Sequence, residues 1–369
     1  MTWTGHHAES ERLAMGAQSA ARTGDRQQAL RLYREAAEAE KRALDELDVS
    51  KTRTRGITSV SAVALYYKAE EFNCAEQLAH LTLSAPDIPE FARADMRTLV
   101  QAIWTESAKR QAGVAFAPGQ VMVSVKGGEV VAGGAPLDLI VDRVQTIQSL
   151  FFRTIEWAKG LPHRKGGRPT RDIQDQCRPW LFQSAPGSYQ FSVAVQNSVQ
   201  PDLFSPDVEP DDVAKRFMEI VGASAADDAA ALERLVPDRA YRTTFLRLTR
   251  NLTPTGKAYE RVELRAAGET RPVALGSESR EYINKQIRAT PATSTAPGDT
   301  EMELRGVLRA VDLDHDWMDV LVDGTSIHVV ALQDTVDDVI GPMVNRPVVT
   351  KVLRTSTGKH KYLDIELDE

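Results

Sequence analysis

The chain is poor in the features that mark secreted, membrane-spanning or disulfide-rich proteins. Its 369 residues include two cysteines, Cys74 and Cys177, and both lie in segments predicted to be helical, so we expect no disulfide framework. No apolar run approaches the roughly 20 residues that a membrane-spanning helix requires. Residues 1–11 are polar and have no basic start followed by an apolar core, so we expect no secretory signal. Together these absences predict a cytoplasmic protein without a membrane partner.

Short motifs of the common enzyme families are also missing. The sequence contains no Walker A loop, no G-x-G-x-x-G, no G-x-S-x-G elbow, no H-E-x-x-H and no C-x-x-C. Its seven histidines are scattered, and no group of histidine, cysteine and carboxylate recurs at the spacing of metal ligands. We therefore predict no catalytic residues, no metal and no cofactor. An enzyme of an unrecognised class is the third-ranked hypothesis.

One acidic run has the opening spacing of a calcium-binding loop. Asp312, Asp314 and Asp316 alternate in the required way. Such a loop also needs glycine at its sixth position and glutamate at its twelfth. Trp317 and Asp323 occupy those positions, so we predict an acidic turn between two strands rather than a calcium site.

Charge is distributed unevenly along a chain that is otherwise ordinary for a globular protein. The sequence is 42% hydrophobic and 26% charged, and its length allows two or three domains. Residues 301–369 hold seven basic and fourteen acidic residues, which accounts for the whole net charge of -7. Such an acidic end would repel a phosphate backbone. We expect it to dock on a basic protein surface, such as the chain's own middle domain.

The clearest local pattern is a helical hairpin within residues 11–47. Apolar and small residues recur at i, i+3, i+4 and i+7 on both sides of Gly24 and Asp25. Gly24 can end one helix in the left-handed conformation, and Asp25 can cap the next helix. With residues 1–9 as a loose lead-in, helices are predicted at about 10–47, 57–69, 72–84 and 88–111. They define an N-terminal helical domain, residues 1–113.

The hairpin resembles a tetratricopeptide (TPR) repeat. The residues that match its usual large and small positions are Leu13, Gly16, Ala17, Ala20, Gly24, Ala29, Tyr33 and Ala36. A second, weaker match follows at Ala62, Tyr66, Phe72, Ala75, Ala79 and Pro86. The proline that usually follows the second helix is absent from the first unit, where Lys41 lies near that position. The equivalent Ala29 and Ala75 are 46 residues apart, whereas the TPR period is about 34.

The resemblance covers residues 10–110 and implies a concave face that binds a partner peptide. The residues assigned to that face are Arg22, Arg26, Tyr33, Tyr66 and Tyr67. A plainer alternative is a pair of helical hairpins that only pack against the rest of the protein. Because stable arrays usually have about three or more repeats, we expect these two units to be stabilised by packing against another domain or a partner.

Residues 114–288 mix strands with helices, which predicts an α+β middle domain with a mostly antiparallel sheet. Residues 120–125 and 129–131 are expected to form a β-hairpin around Gly127 and Gly128. A long apolar helix follows Pro136, and a short helix runs through Trp180. Further strands are predicted at 188–196, 258–266 and 271–275, and further helices from 210, at 227–235, 238–250 and 277–288.

Residues 289–300 read as a linker, because they are rich in proline, threonine, serine and alanine. Beyond it, residues 301–369 contain five predicted strands, with a short helix at 335–344 between the third and the fourth. Three strands, a helix and two strands is the order of a small OB-like β-barrel. Another five-stranded barrel would fit nearly as well.

Two basic stretches of the middle domain, 153–178 and 239–265, could together hold phosphates if the fold brings them together. The alternative is that they are solvated or pair with acids elsewhere in the chain. The residues of the strongest candidate site are Arg164, Lys165, Arg168 and Arg171.

Our leading hypothesis is a non-catalytic, bacterial scaffold or accessory subunit that binds another protein through its helical repeats. The second is a nucleic-acid- or phosphate-binding regulatory or defence-type accessory protein.

Overall fold

The fold comes from a computed structural model, which describes most of the chain. The described residues are 2–112, 120–130, 134–176, 178–182, 189–196, 210–266, 272–289, 299–332 and 335–368. They divide into two compact units, a helical unit of residues 2–112 and a mixed unit that takes in the described residues from 120 onward. Cys177 and the central part of the predicted linker, 290–298, lie outside the described residues.

The helical unit contains five helices, which agrees with the predicted run of helices. They are α1 (Trp3–Arg22), α2 (Arg26–Asp45), α3 (Thr52–Lys68), α4 (Phe72–Ser84) and α5 (Glu90–Ala112). Each helix packs against the next one, and α3 also packs against α5. This is the arrangement of stacked helical hairpins. The TPR identity itself stays a prediction.

The turn between α1 and α2 follows the sequence signals. Gly24 has a φ of +81°, and the Asp25 carboxylate accepts a hydrogen bond of 3.0 Å from the Gln28 backbone N–H. Small side chains then fill the space between the helices, since Ala17 and Ala36 are fully buried. Burial of each methyl group contributes about 0.8 kcal/mol, and small side chains let the helix axes approach closely.

The first helix begins earlier than predicted, at Trp3, so the expected loose lead-in was wrong. The Trp3 and His7 rings stack with their centroids 5.2 Å apart. His7 Nδ1 also lies 3.0 Å from a carboxylate oxygen of the buried Glu40 on α2. These tertiary contacts hold a polar first turn against the neighbouring helix, and local sequence did not reveal them.

The mixed unit begins with a five-stranded antiparallel sheet and its helices. The strands are β1 (Val121–Lys126), β2 (Pro179–Phe182), β3 (Tyr189–Val195), β4 (Arg261–Ala266) and β5 (Val273–Leu275). The helices are α6 (Leu137–Ala158), α7 (Arg171–Gln176), α8 (Pro210–Ala225), α9 (Ala229–Leu235), α10 (Arg239–Leu252) and α11 (Ser277–Ala289). The strand order is β2-β3-β1-β4-β5, and every neighbouring pair is antiparallel. The predicted antiparallel sheet is therefore confirmed.

A layer of helices covers this sheet. Helix α8 packs on β3, β4 and β5, and α6, α8 and α10 pack on one another. Phe151 of α6 and Phe217 of α8 are fully buried and stack with their centroids 4.2 Å apart. This core holds α6 and α10 in place, and both helices carry buried arginines, described below.

Two local predictions in this region were wrong. Residues 129–130 are not a strand, and β1 pairs instead with the distant strands β3 and β4. Gly127 and Gly128 have φ values of +78° and +63°, and a side chain on Gly128 would clash with the Ala258 carbonyl. The two glycines therefore allow a close crossing of the chain rather than a hairpin turn. Trp180, predicted to be helical, lies in β2 opposite Ala194.

The last part of the mixed unit contains five strands in the predicted order. They are β6 (Thr300–Asp312), β7 (Trp317–Val322), β8 (Thr325–Val330), β9 (Pro347–Arg354) and β10 (His360–Leu367), with α12 (Asp337–Ile340) and a 3-10 turn (Gly341–Met343) between β8 and β9. Strand β10 pairs antiparallel with β9 and parallel with β8, so the strand pairings form a closed ring. Whether this sheet is an OB-like barrel stays a prediction.

The acidic run after β6 is a turn between strands, as predicted. The Asp312 carboxylate accepts hydrogen bonds from the backbone N–H groups of His315 and Asp314, at 2.9 and 3.0 Å. These bonds, led by the one from His315, lower the pKa of the Asp312 carboxyl. Both carboxylate oxygens of Asp312 are thus used within the turn, since the second lies 2.8 Å from His315 Nδ1.

Candidate functional site

The first basic stretch is folded around a buried set of charges. Arg153, on α6, is fully buried and lies 2.6 Å from the Asp338 carboxylate on α12. Arg164, in the loop after α6, approaches the same carboxylate oxygen at 3.2 Å. Glu156 completes the set, at 2.7 Å from Arg164 and 3.4 Å from Arg153. Two guanidinium groups therefore face two carboxylates, and the set carries no net charge.

The second basic stretch is used in a similar way on α10. Arg250 is fully buried and holds the Asp364 carboxylate of β10 with both terminal nitrogens, one of them at 3.0 Å. Burial alone would raise the pKa of the Asp364 carboxyl. The charge of Arg250 and its hydrogen bond outweigh that effect, so the pKa of Asp364 is lowered. Arg247 adds a longer contact of 4.0 Å to the same carboxylate.

Two further pairs join the helices to the acidic end of the chain. Arg280 of α11 lies 2.6 Å from Glu366, and Asp142 of α6 lies 2.6 Å from Arg346. The expected docking of the acidic C-terminal strands on the basic middle region is therefore confirmed. It also means that much of the predicted positive surface is neutralised within the unit, because arginines from both basic stretches bind acids of residues 301–369.

The proposed phosphate-binding residues consequently separate into two kinds. Arg164 is half-buried and held by Glu156 and Asp338. Lys165, Arg168 and Arg171 are exposed, and none has an ion pair with another described residue. Only these three remain available to an external anion.

Arg168 lies on a cleft that the sequence did not predict. The cleft has a volume of about 620 Å³, and its walls include Arg178, Phe152 of α6 and Asp337 of α12. Arg178 is exposed and, like Arg168, has no ion pair among the described residues. The basic composition of 153–178 was the available signal. The position of the cleft depends on the contact between α6 and α12, which are distant in sequence.

In the helical unit, two of the predicted partner-binding residues are arginines near the α1–α2 turn. Arg22 is exposed in the last turn of α1. Arg26 begins α2 and lies 2.5 Å from the Glu70 carboxylate, which also binds Arg110 of α5. Arg26 is therefore part of a link between helices, although three quarters of its side chain is exposed.

The three predicted partner-binding tyrosines differ in how accessible their side chains are. Tyr66 is 7% exposed and belongs to the core, so an external partner cannot contact its ring. Tyr67 is half-buried against Phe72, and burial, followed by the charge of Glu106, raises its pKa to about 12. Tyr33 is half-buried, with the Lys68 ammonium 5.7 Å from its ring centre.

A different pair of side chains offers an exposed apolar surface on the helical unit. Ile57 on α3 is 51% exposed, and Phe91 on α5 is 44% exposed. A side chain at Gly56 would lie 3.0 Å from the Ala92 Cβ, so the starts of the two helices touch there. Their ends also meet, since Arg110 of α5 binds Glu70, just after α3. Helices α3 and α5 therefore run in the same direction.

This geometry decides where the two apolar side chains project. Ile57 follows Gly56 by one position, and Phe91 precedes Ala92 by one position. Successive residues of a helix are rotated by about 100° around its axis. On two parallel helices that face each other, one step forward from the contact on the first helix and one step back on the second rotate the side chains toward the same side of the helix pair. Ile57 and Phe91 form what we call the α3–α5 apolar face. Sequence reasoning missed it because both residues fall outside the apolar pattern that packs the core.

The described parts of the chain contain no group of three or more histidine, cysteine, aspartate and glutamate side chains placed to hold a metal ion. None of the described helices is long and apolar enough to cross a membrane. Comparison with known proteins found no matching family model, no matching curated protein and no matching solved structure.

Proposed function

We propose that this protein is a cytoplasmic, non-catalytic scaffold or accessory subunit that binds another protein through its helical unit. The observation that carries the proposal is the α3–α5 apolar face. Two large apolar side chains, Ile57 and Phe91, are about half exposed on one side of a contact between parallel helices. Exposed aromatic and aliphatic anchors on a rigid helical surface are what a partner protein can bury most favourably.

The stacking of the helices supports a TPR-like interpretation of this unit. Helices α1 to α5 pack in sequence, and α3 also contacts α5 across the intervening α4. In such a stack every other helix contributes to the same face. Lys68 lies about three turns beyond Ile57 on α3 and is exposed, so a charged residue shares this side of the helix. A partner segment would then contact an apolar centre with a polar edge.

The proposed contact residues are accordingly revised. Arg22, Lys68, Ile57 and Phe91 are exposed and can reach a partner, whereas Tyr66 is assigned to the core. Nucleic-acid binding through a continuous basic patch ranks second. It is weakened because Arg164 and the buried arginines of α6 and α10 already bind carboxylates of the same unit.

The test is affinity capture with the tagged full-length chain, followed by quantitative mass spectrometry. We expect a partner protein that wild type retains and that both Ile57→Asp and Phe91→Asp lose. Loss of a central anchor typically costs about 2 kcal/mol or more, or roughly thirty-fold in affinity. Leu81→Asp is the matched control, because Leu81 is also exposed, at 69%, but lies on α4. It should retain the partner.

Two outcomes would contradict the proposal. One is recovery of the same proteins with wild type, Ile57→Asp and Phe91→Asp. The other is a cellular function that survives removal of residues 10–110. Unfolding curves of the two variants should match wild type within about 0.5 kcal/mol, since both substitutions are at exposed positions.

A further inference from the structure

The cleft beside Arg168 has the size and lining of a small-molecule site. Its volume of about 620 Å³ lies within the roughly 300–1,000 Å³ that is usual for ligand pockets. Helix α6 supplies Ser149 and Phe152, the loop after α6 supplies Arg168, and α12 supplies Asp337 and Asp338. Arg178, just before β2, lies on the same cleft. Polar, charged and aromatic side chains therefore meet at one concave surface.

The loop that carries Arg168 is held firmly on both sides. Before it, the Lys165 carbonyl accepts a hydrogen bond of 2.9 Å from the Asp337 backbone N–H, and the Arg164 guanidinium donates to the Gly167 carbonyl. After it, the Gln174 amide donates a hydrogen bond of 2.6 Å to the Pro169 carbonyl. Because the loop is already ordered, a ligand would not have to bear the entropy cost of ordering it.

The charges around the cleft favour an anion. Asp338 is neutralised by Arg153 and Arg164, so it does not oppose one. Arg168 and Arg178 are exposed, and neither has an ion pair with a described residue. Asp337 is the acid that would weaken the attraction, since it too lacks an ion pair in the described chain. After these pairings, two positive charges face one negative charge.

We propose that this cleft binds the phosphate group of a small phosphorylated molecule through Arg168 and Arg178. A guanidinium group matches phosphate oxygens with two parallel N–H donors, which a lysine cannot do. Phe152 and Ser149 then contact the rest of the ligand, with Phe152 able to stack on a planar ring. Nucleotides and free polyphosphates share this chemistry, and the experiment below separates them.

A nucleic-acid strand is a poorer fit than a small molecule. Binding a strand requires a row of cations along its backbone. Arg153 and Arg164 are bound to Glu156 and Asp338, so they interrupt such a row. All residues of the proposed site belong to the mixed unit. Its failure would leave the proposal of protein binding by the helical unit unchanged.

The experiment is isothermal titration calorimetry on the full-length chain with inorganic phosphate, pyrophosphate and ATP. We expect pyrophosphate or ATP to bind, and Arg168→Gln and Arg178→Gln each to lower the affinity about ten-fold or more, because each removes a charge-assisted hydrogen bond. Asp337→Asn should raise the affinity several-fold, because it removes the opposing charge. Binding of ATP that weakens in Phe152→Leu identifies a nucleotide site, whereas equal binding of pyrophosphate identifies a polyphosphate site.

Arg171→Gln is the matched control, since Arg171 is an exposed arginine close in sequence that does not line the cleft. It should change the affinity by less than about two-fold. The proposal is overturned if none of the three probes binds at a probe concentration of about 10 mM, because a dissociation constant above that value is too weak for specific recognition. It is also overturned if Arg171→Gln and Arg168→Gln lower the affinity equally. Tighter binding of a single-stranded oligonucleotide that depends equally on both arginines would overturn it in favour of a nucleic-acid surface.

Discussion

Removing the carboxylate of Asp364 is the sharpest test of how the mixed unit is held together. Arg250 is fully buried and binds this carboxylate and the Ile365 carbonyl, the latter at 2.6 Å. In Asp364→Asn the guanidinium keeps a carbonyl acceptor but loses the compensating charge. An uncompensated buried charge typically costs about 3–5 kcal/mol, and Asp364 is 14% exposed, so we expect about 3 kcal/mol. In a unit of this size that lowers the unfolding temperature by roughly 6–12 °C.

The measurement is urea and thermal unfolding of the full-length chain, followed by circular dichroism. Asp368→Asn is the matched control, because Asp368 pairs at 3.3 Å with Arg305, which is 63% exposed. A surface pair of this kind contributes about 0.5 kcal/mol or less. If both variants lose the same small amount of stability, the buried pair is not what joins β10 to α10, and the reasoning fails.

The pH dependence of the same variant provides an independent readout. The folded pKa of Asp364 is lowered, so its contribution is complete above the unfolded pKa of about 4 and is lost as the pH falls through the folded value. Wild type should therefore lose stability in acid more steeply than Asp364→Asn. Parallel acid profiles for the two proteins would refute the assigned direction of the shift.

Two smaller effects should also be measurable. Asp25→Ala removes the carboxylate that caps α2, and we expect the free energy of unfolding measured in urea to fall by about 1 kcal/mol. Asp25→Ser keeps a capping oxygen and should retain most of that stability, so equal losses in the two variants would exclude capping as the cause. Burial, assisted by the charge of Arg354, lowers the pKa of His360, so wild type should lose stability as the pH falls below about 6.5. In His360→Gln that loss should shrink, and an unchanged slope between pH 7 and 5 would contradict the assignment.

Predictions from local sequence succeeded where the signal acts over a few residues. Gly24 and Asp25 specify the α1–α2 turn through backbone conformation and a cap within one helical turn. The apolar periodicity of α6 likewise reflects which side chains that helix buries. The strand β3 was also predicted, although its residues from Phe191 to Val195 are buried on both faces and not alternately. Prediction failed where the same residues are compatible with two different local structures. Gly127 and Gly128 permit a hairpin and a close crossing equally well, and the choice depends on Ala258, far along the chain.

The candidate sites were less predictable, because exposure and pairing depend on distant partners. Composition identified the basic loop at Arg164, but not that Asp338 would hold that residue. TPR-like spacing identified the helical hairpins, and the same spacing assigned Tyr66 to a binding face although it packs the core. The place of Ile57 on the α3–α5 apolar face could be recognised only from the tertiary contact of Gly56 with Ala92, which sets α3 against α5.

The sequence by itself determined the helical hairpins, the order of the last five strands and the concentration of acidic residues at the C-terminal end. These follow from periodicity, turn residues and composition, which act locally. Tertiary structure alone decided which strands flank β1, which arginines are neutralised and where a cleft is left open. Arg153 and Asp338 are separated by 185 residues, and no local rule selects one partner over another at that distance. Packing of the surrounding core makes that selection, because it fixes which charges are buried together.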